Sequence, residues 1–198
     1  MRRWMVLGLL ACACGSDSGS PDGGSGPGSI TGTVGGLPLN VKDAVFSLDN
    51  NAVTVLVTDR ENACALLGGT TLPGTTTVLI VSLANFVPPV LVNPHVTGNY
   101  AYFDLGGGTF PTTAGQYWYG GFETVTASCT VATTSLATGG TVNVTQTGTT
   151  SGTHFKANLN GLKFGSDTLN GSIEASYCPA VSSTSCGLAI ARPPGPLE

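Results

Sequence analysis

Apolar and polar residues alternate along much of this chain with a period of two, and turn residues separate the alternating stretches. The strictest case is Thr141-Val142-Asn143-Val144-Thr145-Gln146, the pattern of a strand with one dry and one wet face. Residues 148–152 turn it, and 153–159 answer with Phe155, Ala157 and Leu159 on one face. Asn160-Gly161 reads as a tight-turn pair before Leu162-Lys163-Phe164. The stretch 169–178 puts Leu169, Gly171, Ile173, Ala175 and Tyr177 inward. Upstream, 30–34 and 44–48 read as short strands, and 52–58 as a strand buried mostly on one side. Residues 76–84, with Val78-Leu79-Ile80-Val81, suit a central strand. Stretches 99–105 and 116–125 are aromatic strands, and 126–133 carries Cys129.

One helix is expected, over 59–67, with Asp59 as its cap, Glu61 in its first turn and Gly68-Gly69 at its end. Pro88-Pro89 and Pro94 break the chain into loop. About nine or ten short strands with turns every ~8–12 residues predict an all-β domain, an antiparallel sandwich or barrel-like fold with at most one short helix.

Composition sharpens that expectation. Charged residues make up only 9% of the 198, and Gly is abundant at 29, which suits short strands and tight turns better than helices. The basic residues are too few and scattered for a nucleic-acid surface.

The first 29 residues break the pattern. Met1-Arg2-Arg3 is followed by an apolar run from Trp4 to Ala11, then Cys12-Ala13-Cys14, then a run of Gly, Ser, Asp and Pro. A basic start and a short apolar core describe a secretory signal. The run is too short for a membrane-spanning helix of ~20 apolar residues. Leu9-Leu10-Ala11-Cys12 resembles the lipobox of bacterial lipoproteins, which implies lipidation of Cys12. Cys14, with Ala11 at −3, is the poorer alternative. Neither Ala13 nor Gly15 is an Asp, so the resemblance implies the outer rather than the inner membrane. The expected organisation is a signal over 1–11, a lipidated cysteine and flexible tether over 12–29, a β domain over 30–191 and a Pro-rich tail over 192–198. Losing Arg2 and Arg3 leaves five basic residues against eleven acidic ones, a net charge near −6.

Cys64, Cys129, Cys178 and Cys186 form an even set, which in an exported chain reads as two disulfides. Three pairings are open. Local closure of Cys178 with Cys186, leaving Cys64 with Cys129, is the favoured one. A metal site would want closely spaced cysteines or neighbouring histidines, and His95 and His154 stand beside none of them. No metal or cofactor is expected.

Catalytic patterns are missing. There is no Gly-x-Ser-x-Gly elbow between strand and helix and no phosphate loop with its Lys. His95 reads as a loop residue and His154 as an outward strand residue. Asp59, Arg60 and Glu61 read as a cap and a surface ion pair. Asp104, Glu123, Asp167 and Glu174 are the carboxylates from which a hydrolytic pair would have to come. Tyr117-Trp118-Tyr119 is the sharpest candidate patch. As a strand it sends Tyr117 and Tyr119 to one face and Trp118 to the other, so some aromatic surface faces out, unless adjoining loops bury it.

Gly32-Thr33-Val34, Val55-Leu56-Val57-Thr58-Asp59, Ala63-Cys64-Ala65-Leu66, Gly140-Thr141-Val142-Asn143-Val144-Thr145 and the segment from Leu169 to Cys178 together resemble uncharacterised lipoproteins of Gram-negative bacteria. Those carry a Gly-rich tether and one β-rich domain, and the resemblance brings no functional residue with it. The expectation is an exported, lipid-anchored envelope protein whose domain is non-catalytic and binds a glycan or an envelope protein, or is structural. The alternative is a small envelope hydrolase.

Overall fold

In the computed structural model, which describes residues 26–49, 52–67, 69–92, 96–104 and 111–179, the alternating stretches are strands. In chain order they are β1 (Gly28–Val34), β2 (Leu37–Pro38), β3 (Asp43–Asp49), β4 (Ala52–Thr58), β5 (Thr76–Val87), β6 (Val90–Val92), β7 (Gly98–Tyr102), β8 (Gly115–Val125), β9 (Val131–Leu136), β10 (Gly139–Gln146), β11 (His154–Phe164) and β12 (Asp167–Tyr177). One short helix, α1 (Ala63–Leu67), follows β4. The all-β, barrel-like class expected from periodicity is the observed one.

Eight strands close on themselves in the order β3-β4-β5-β8-β7-β10-β11-β12, and β12 returns to β3. The ring consists of two antiparallel sheets, β3-β4-β5-β8 and β7-β10-β11-β12. Where the sheets meet, the pairing is parallel, which departs from the wholly antiparallel expectation. One seam pairs Ser176 with Val45 and Tyr177 with Phe46. The other pairs Ala101 with Tyr117 and Tyr102 with Trp118. Parallel neighbours need a crossover rather than a hairpin, and turn signals along the chain carry no trace of it.

Each seam places two aromatic residues directly opposite one another. The Phe46 and Tyr177 rings lie 5.5 Å apart edge to face, with Phe155 6.0 Å from Phe46. Tyr102 and Trp118 meet edge to face at 5.6 Å. Such pairs contribute about 0.5–1.5 kcal/mol beyond their buried area, which compensates for seams of so few hydrogen bonds.

An eight-strand ring is just wide enough for side chains to fill. Val55, Val57, Leu79, Val81, Leu83, Trp118, Phe122, Val142, Val144, Phe155, Leu159, Leu169 and Ile173 fill this one. On the outside the two sheets differ. The β7-β10-β11-β12 sheet shows Asn99, Thr145, Asn158 and Asn170 to water, the reverse of a barrel whose outer wall faces lipid. The β3-β4-β5-β8 sheet carries a second core outside, with Val45, Leu56, Val78, Ile80, Tyr119 and Val125 packed with Ala63 and Leu72. Every residue of β4 is therefore buried, which corrects the one-sided burial expected of it. Its outward Thr54 is buried through company on β5, where the Ser82 hydroxyl lies 3.5 Å away.

Other local expectations change as well. Asn160-Gly161 makes no turn, because β11 runs through it with a shift of register between Leu159 and Leu162. Gly161 takes φ +60° there, and its N–H donates to Asn170 Oδ1 at 2.8 Å. That is the use of a left-handed glycine in a bulge. The helix is shorter than expected and Asp59 does not cap it. Asp59 Oδ1 accepts the Thr77 N–H at 2.9 Å, whereas Asp43 Oδ2 on β3 accepts the Ala63 N–H at 2.8 Å. Residues 126–130 form a turn, and β9 begins at Val131.

Cys64 bonds to Cys178, 114 residues away, with Cα atoms 5.6 Å apart. This overturns the pairing favoured from sequence. The reason is packing. α1 sits on the outer face of β3-β4-β5-β8, and Cys178 arrives there as the Cys178 N–H donates to Phe46 O at 2.7 Å. Cys129 is disulfide-bonded too, and Cys186 lies outside the described residues. A link spanning so long a loop stabilises by about 2–5 kcal/mol. Replacing both Cys64 and Cys178 by Ala should therefore cost about that much stability in urea unfolding, with a steeper transition slope because the uncrosslinked denatured chain exposes more surface.

Candidate functional site

β8 is organised by its two edges. β5 pairs with one edge over its whole length. The other edge is shared, by β7 at Tyr117 and Trp118 and by β9 from Gly121 to Val125. The strand forks between them. There the Phe103 N–H donates to Trp118 O at 2.8 Å, and the Ala137 N–H to Gly120 O at 3.0 Å. The aromatic run Tyr117-Trp118-Tyr119 straddles this fork.

The three rings go to three places. Trp118 points into the barrel with 0% exposure, and its indole Nε1–H donates to Gly140 O at 3.1 Å. Tyr119 points outward but is buried in the second core, 3% exposed. Tyr117 is half-buried, donates its hydroxyl to Thr113 O at 3.0 Å and meets the Phe103 ring at 6.2 Å. Period-two alternation places Trp118 opposite its neighbours as expected, yet no exposed platform of three rings results. An outer face that is itself packed hides the ring that alternation sends outward.

Beside the fork is a shallow depression with a cavity volume of only about 10 Å³, open to solvent and lined by Tyr102, Phe103, Asp104, Tyr119 and Leu136. Small-molecule pockets usually enclose ~300–1,000 Å³, so this dimple, with room for about one water, is not a ligand pocket. The Tyr102 hydroxyl reaches Ala137 O at 2.6 Å and Asp104 Oδ1 at 3.4 Å. Burial, and then the Asp104 charge and hydrogen bond, push the Tyr102 hydroxyl's pKa up. Tyr100 is more strongly affected. It is wholly buried and donates to Val96 O at 2.8 Å, and burial raises its pKa to about 12 although that hydrogen bond pulls it down.

The carboxylates serve structure. Asp167 Oδ2 accepts the Gly35 N–H at 2.7 Å. Glu174 pairs with Lys156 Nζ at 3.0 Å and lies 3.7 Å from His154 Nδ1. Glu123, fully buried, accepts the Thr134 hydroxyl at 3.5 Å. Asp59 lies 3.7 Å from Arg60 Nε. Asp167 and Glu174 stand seven positions apart on β12, roughly 23 Å. Glu123 and Glu174 belong to opposite sheets. Neither Asp167 with Glu174 nor Glu123 with Glu174 therefore faces one cleft. Among the described residues no three His, Cys, Asp or Glu side chains gather as a metal site. His154 stands exposed on β11 as expected; His95, Cys12 and Cys14 lie outside the described residues.

Sequence reasoning missed Tyr102 and Asp43. Tyr102 closes a seam through a partner in another strand, and Asp43 caps a helix twenty residues on; neither has a local signal. Compared with models of known protein families, with curated proteins and with solved structures, the chain matches none.

Two measurements check the site. With residues 1–11 removed, Trp118 is the sole indole; its emission should be blue-shifted and resist acrylamide. Tyr100 holds its proton to about pH 12 when folded, against 10.0 ordinarily. Its contribution to stability is thus complete below pH 10 and falls as pH rises from 10 towards 12, by at most ~1.4 kcal/mol per pH unit. Tyr102 adds a fall of the same sign. Alkaline unfolding curves should be shallower for Tyr100→Phe than for the parent.

Proposed function

We propose that this chain is an exported, lipid-anchored protein of the bacterial cell envelope, held at Cys12 and more at home in the outer than the inner membrane. Its β domain then acts as a non-catalytic binding or structural module, with the membrane as one partner and a glycan or another envelope protein as the other. The observation that carries the reading is disulfide bonding, Cys64 to Cys178 and Cys129 to a further cysteine. Such bonds persist in oxidising compartments and rarely in the cytosol. They agree with the export reading of Arg2-Arg3, the apolar run after them and Leu9-Leu10-Ala11-Cys12. Support for the module's character comes from an interior filled by side chains and from acidic groups engaged in caps and ion pairs.

The surface left for a partner near the fork is Tyr117, half-buried, and Leu136, 49% exposed. Trp118 and Tyr119 belong to the cores and drop out of the patch. Intact mass of the membrane-extracted protein tests the anchor. A chain beginning at Cys12 and carrying acyl groups is expected. An unmodified chain that keeps Met1 would end the reading, and acyl groups on Cys14 would move the site by two residues.

A further inference from the structure

The direction of the strands sorts the connections into two ends of the barrel, and the ends differ in chemistry. At one end β4 finishes and β3, β5 and β12 begin. That end gathers Lys42, Asp43, Asp59, Arg60, Glu61 and Asp167. At the other end β5 turns into β6 through Pro88-Pro89, and β7, β8 and β11 begin. The described connections there carry no Asp, Glu, Lys or Arg, while Asp49 ends β3, His154 begins β11 and Lys156 pairs with Glu174 near that end. Residues 62–103, which supply the hairpin and the approach to β7, contain no Asp, Glu, Lys or Arg.

The hairpin tip is apolar and exposed. Val87 is 48% and Val90 54% exposed, Pro88 and Pro89 are exposed between them, and Val96 nearby is 42% exposed.

The direction of β1 supplies the occupant. β1 runs antiparallel to β12, with Gly28 beside Ile173 and Gly32 beside Leu169. Traced backwards from Gly28, the chain therefore heads towards the hairpin end, and Pro27 O accepts the Glu174 N–H at 3.1 Å on the way. Residues 12–25, Gly- and Ser-rich, precede the described chain, and a flexible chain of that length spans roughly 20 Å. An anchor at Cys12 would hold the end that carries the apolar hairpin tip, and not the opposite one, against the bilayer.

We infer that the Val87-Pro88-Pro89-Val90 tip inserts into the lipid surface to which the chain is anchored, so that the domain has a fixed orientation on the membrane. This rests on the lipid-anchor reading above. An apolar tip without charge enters the headgroup boundary at no cost in ion desolvation. A net charge near −6 for the processed chain gives no attraction to anionic lipid, which leaves apolar insertion as the available contact.

The test uses the full chain, extracted from membranes and reconstituted in vesicles of phosphatidylethanolamine and phosphatidylglycerol with or without brominated acyl chains. An indole is introduced as Val90→Trp at the tip, or as Leu37→Trp at the opposite end, where Leu37 is 44% exposed. Both positions are exposed, so neither change disturbs a core. The signal of Trp118 is subtracted with the parent protein. For Val90→Trp the expected result is a blue-shifted emission quenched roughly twofold by brominated chains, since an inserted tip reaches ~5–10 Å into the boundary. For Leu37→Trp no quenching is expected. Intact mass of the same preparation separates the two ways to fail. A chain without acyl groups overturns the anchor and this orientation with it. An acylated chain in which Val90→Trp is unquenched, or quenched no more than Leu37→Trp, overturns the inserted tip alone.

Discussion

Closure of the barrel is the constraint on which the other features depend, and it rests on two short parallel seams. An open sheet leaves rows of unpaired N–H and C=O groups at its edges. Here β3 meets β12, and β7 meets β8, through two residue pairs each. So few hydrogen bonds would hold two sheets poorly on their own. The rings that face each other across the seams, Tyr177 with Phe46 and Tyr102 with Trp118, supply buried area where backbone pairing is least. The aromatic run of β8 is thus explained by closure before any ligand is considered.

The seams are short because β8 and β12 are longer than the partners that meet them there. β8 gives the rest of its edge to β9, and β12 gives its first half to β1. The first choice creates the fork and its shallow depression. The second fixes the direction in which the chain enters the domain. Entry direction and the distribution of charge together make one end of the barrel unlike the other, so a surface property follows from strand pairing.

Much of the fold was legible. Strict alternation in 141–146 and 52–58 fell within β10 and on β4 because each side chain's face is set by its own position in the strand. The failures share a cause. One-sided burial of β4, a helix capped by Asp59, a turn at Asn160-Gly161 and a local disulfide at Cys178 all assumed that neighbours in sequence decide. In each case the deciding group lay elsewhere. α1 and Leu72 cover the outer sheet, Asp43 caps the helix, Asn170 receives the Gly161 N–H, and Cys64 bonds to Cys178.

What the sequence by itself determined is most of the strands, though not β2 or β6, and which residues of each share a face, because a period of two is a property of one strand alone. Tertiary structure alone decided which outward faces stay dry, which cysteines meet and where the aromatic rings end up. Those outcomes depend on pairings such as Tyr177 with Phe46, 131 positions apart. No local pattern records contacts between strands so distant in the chain, since only closure of the ring brings them together.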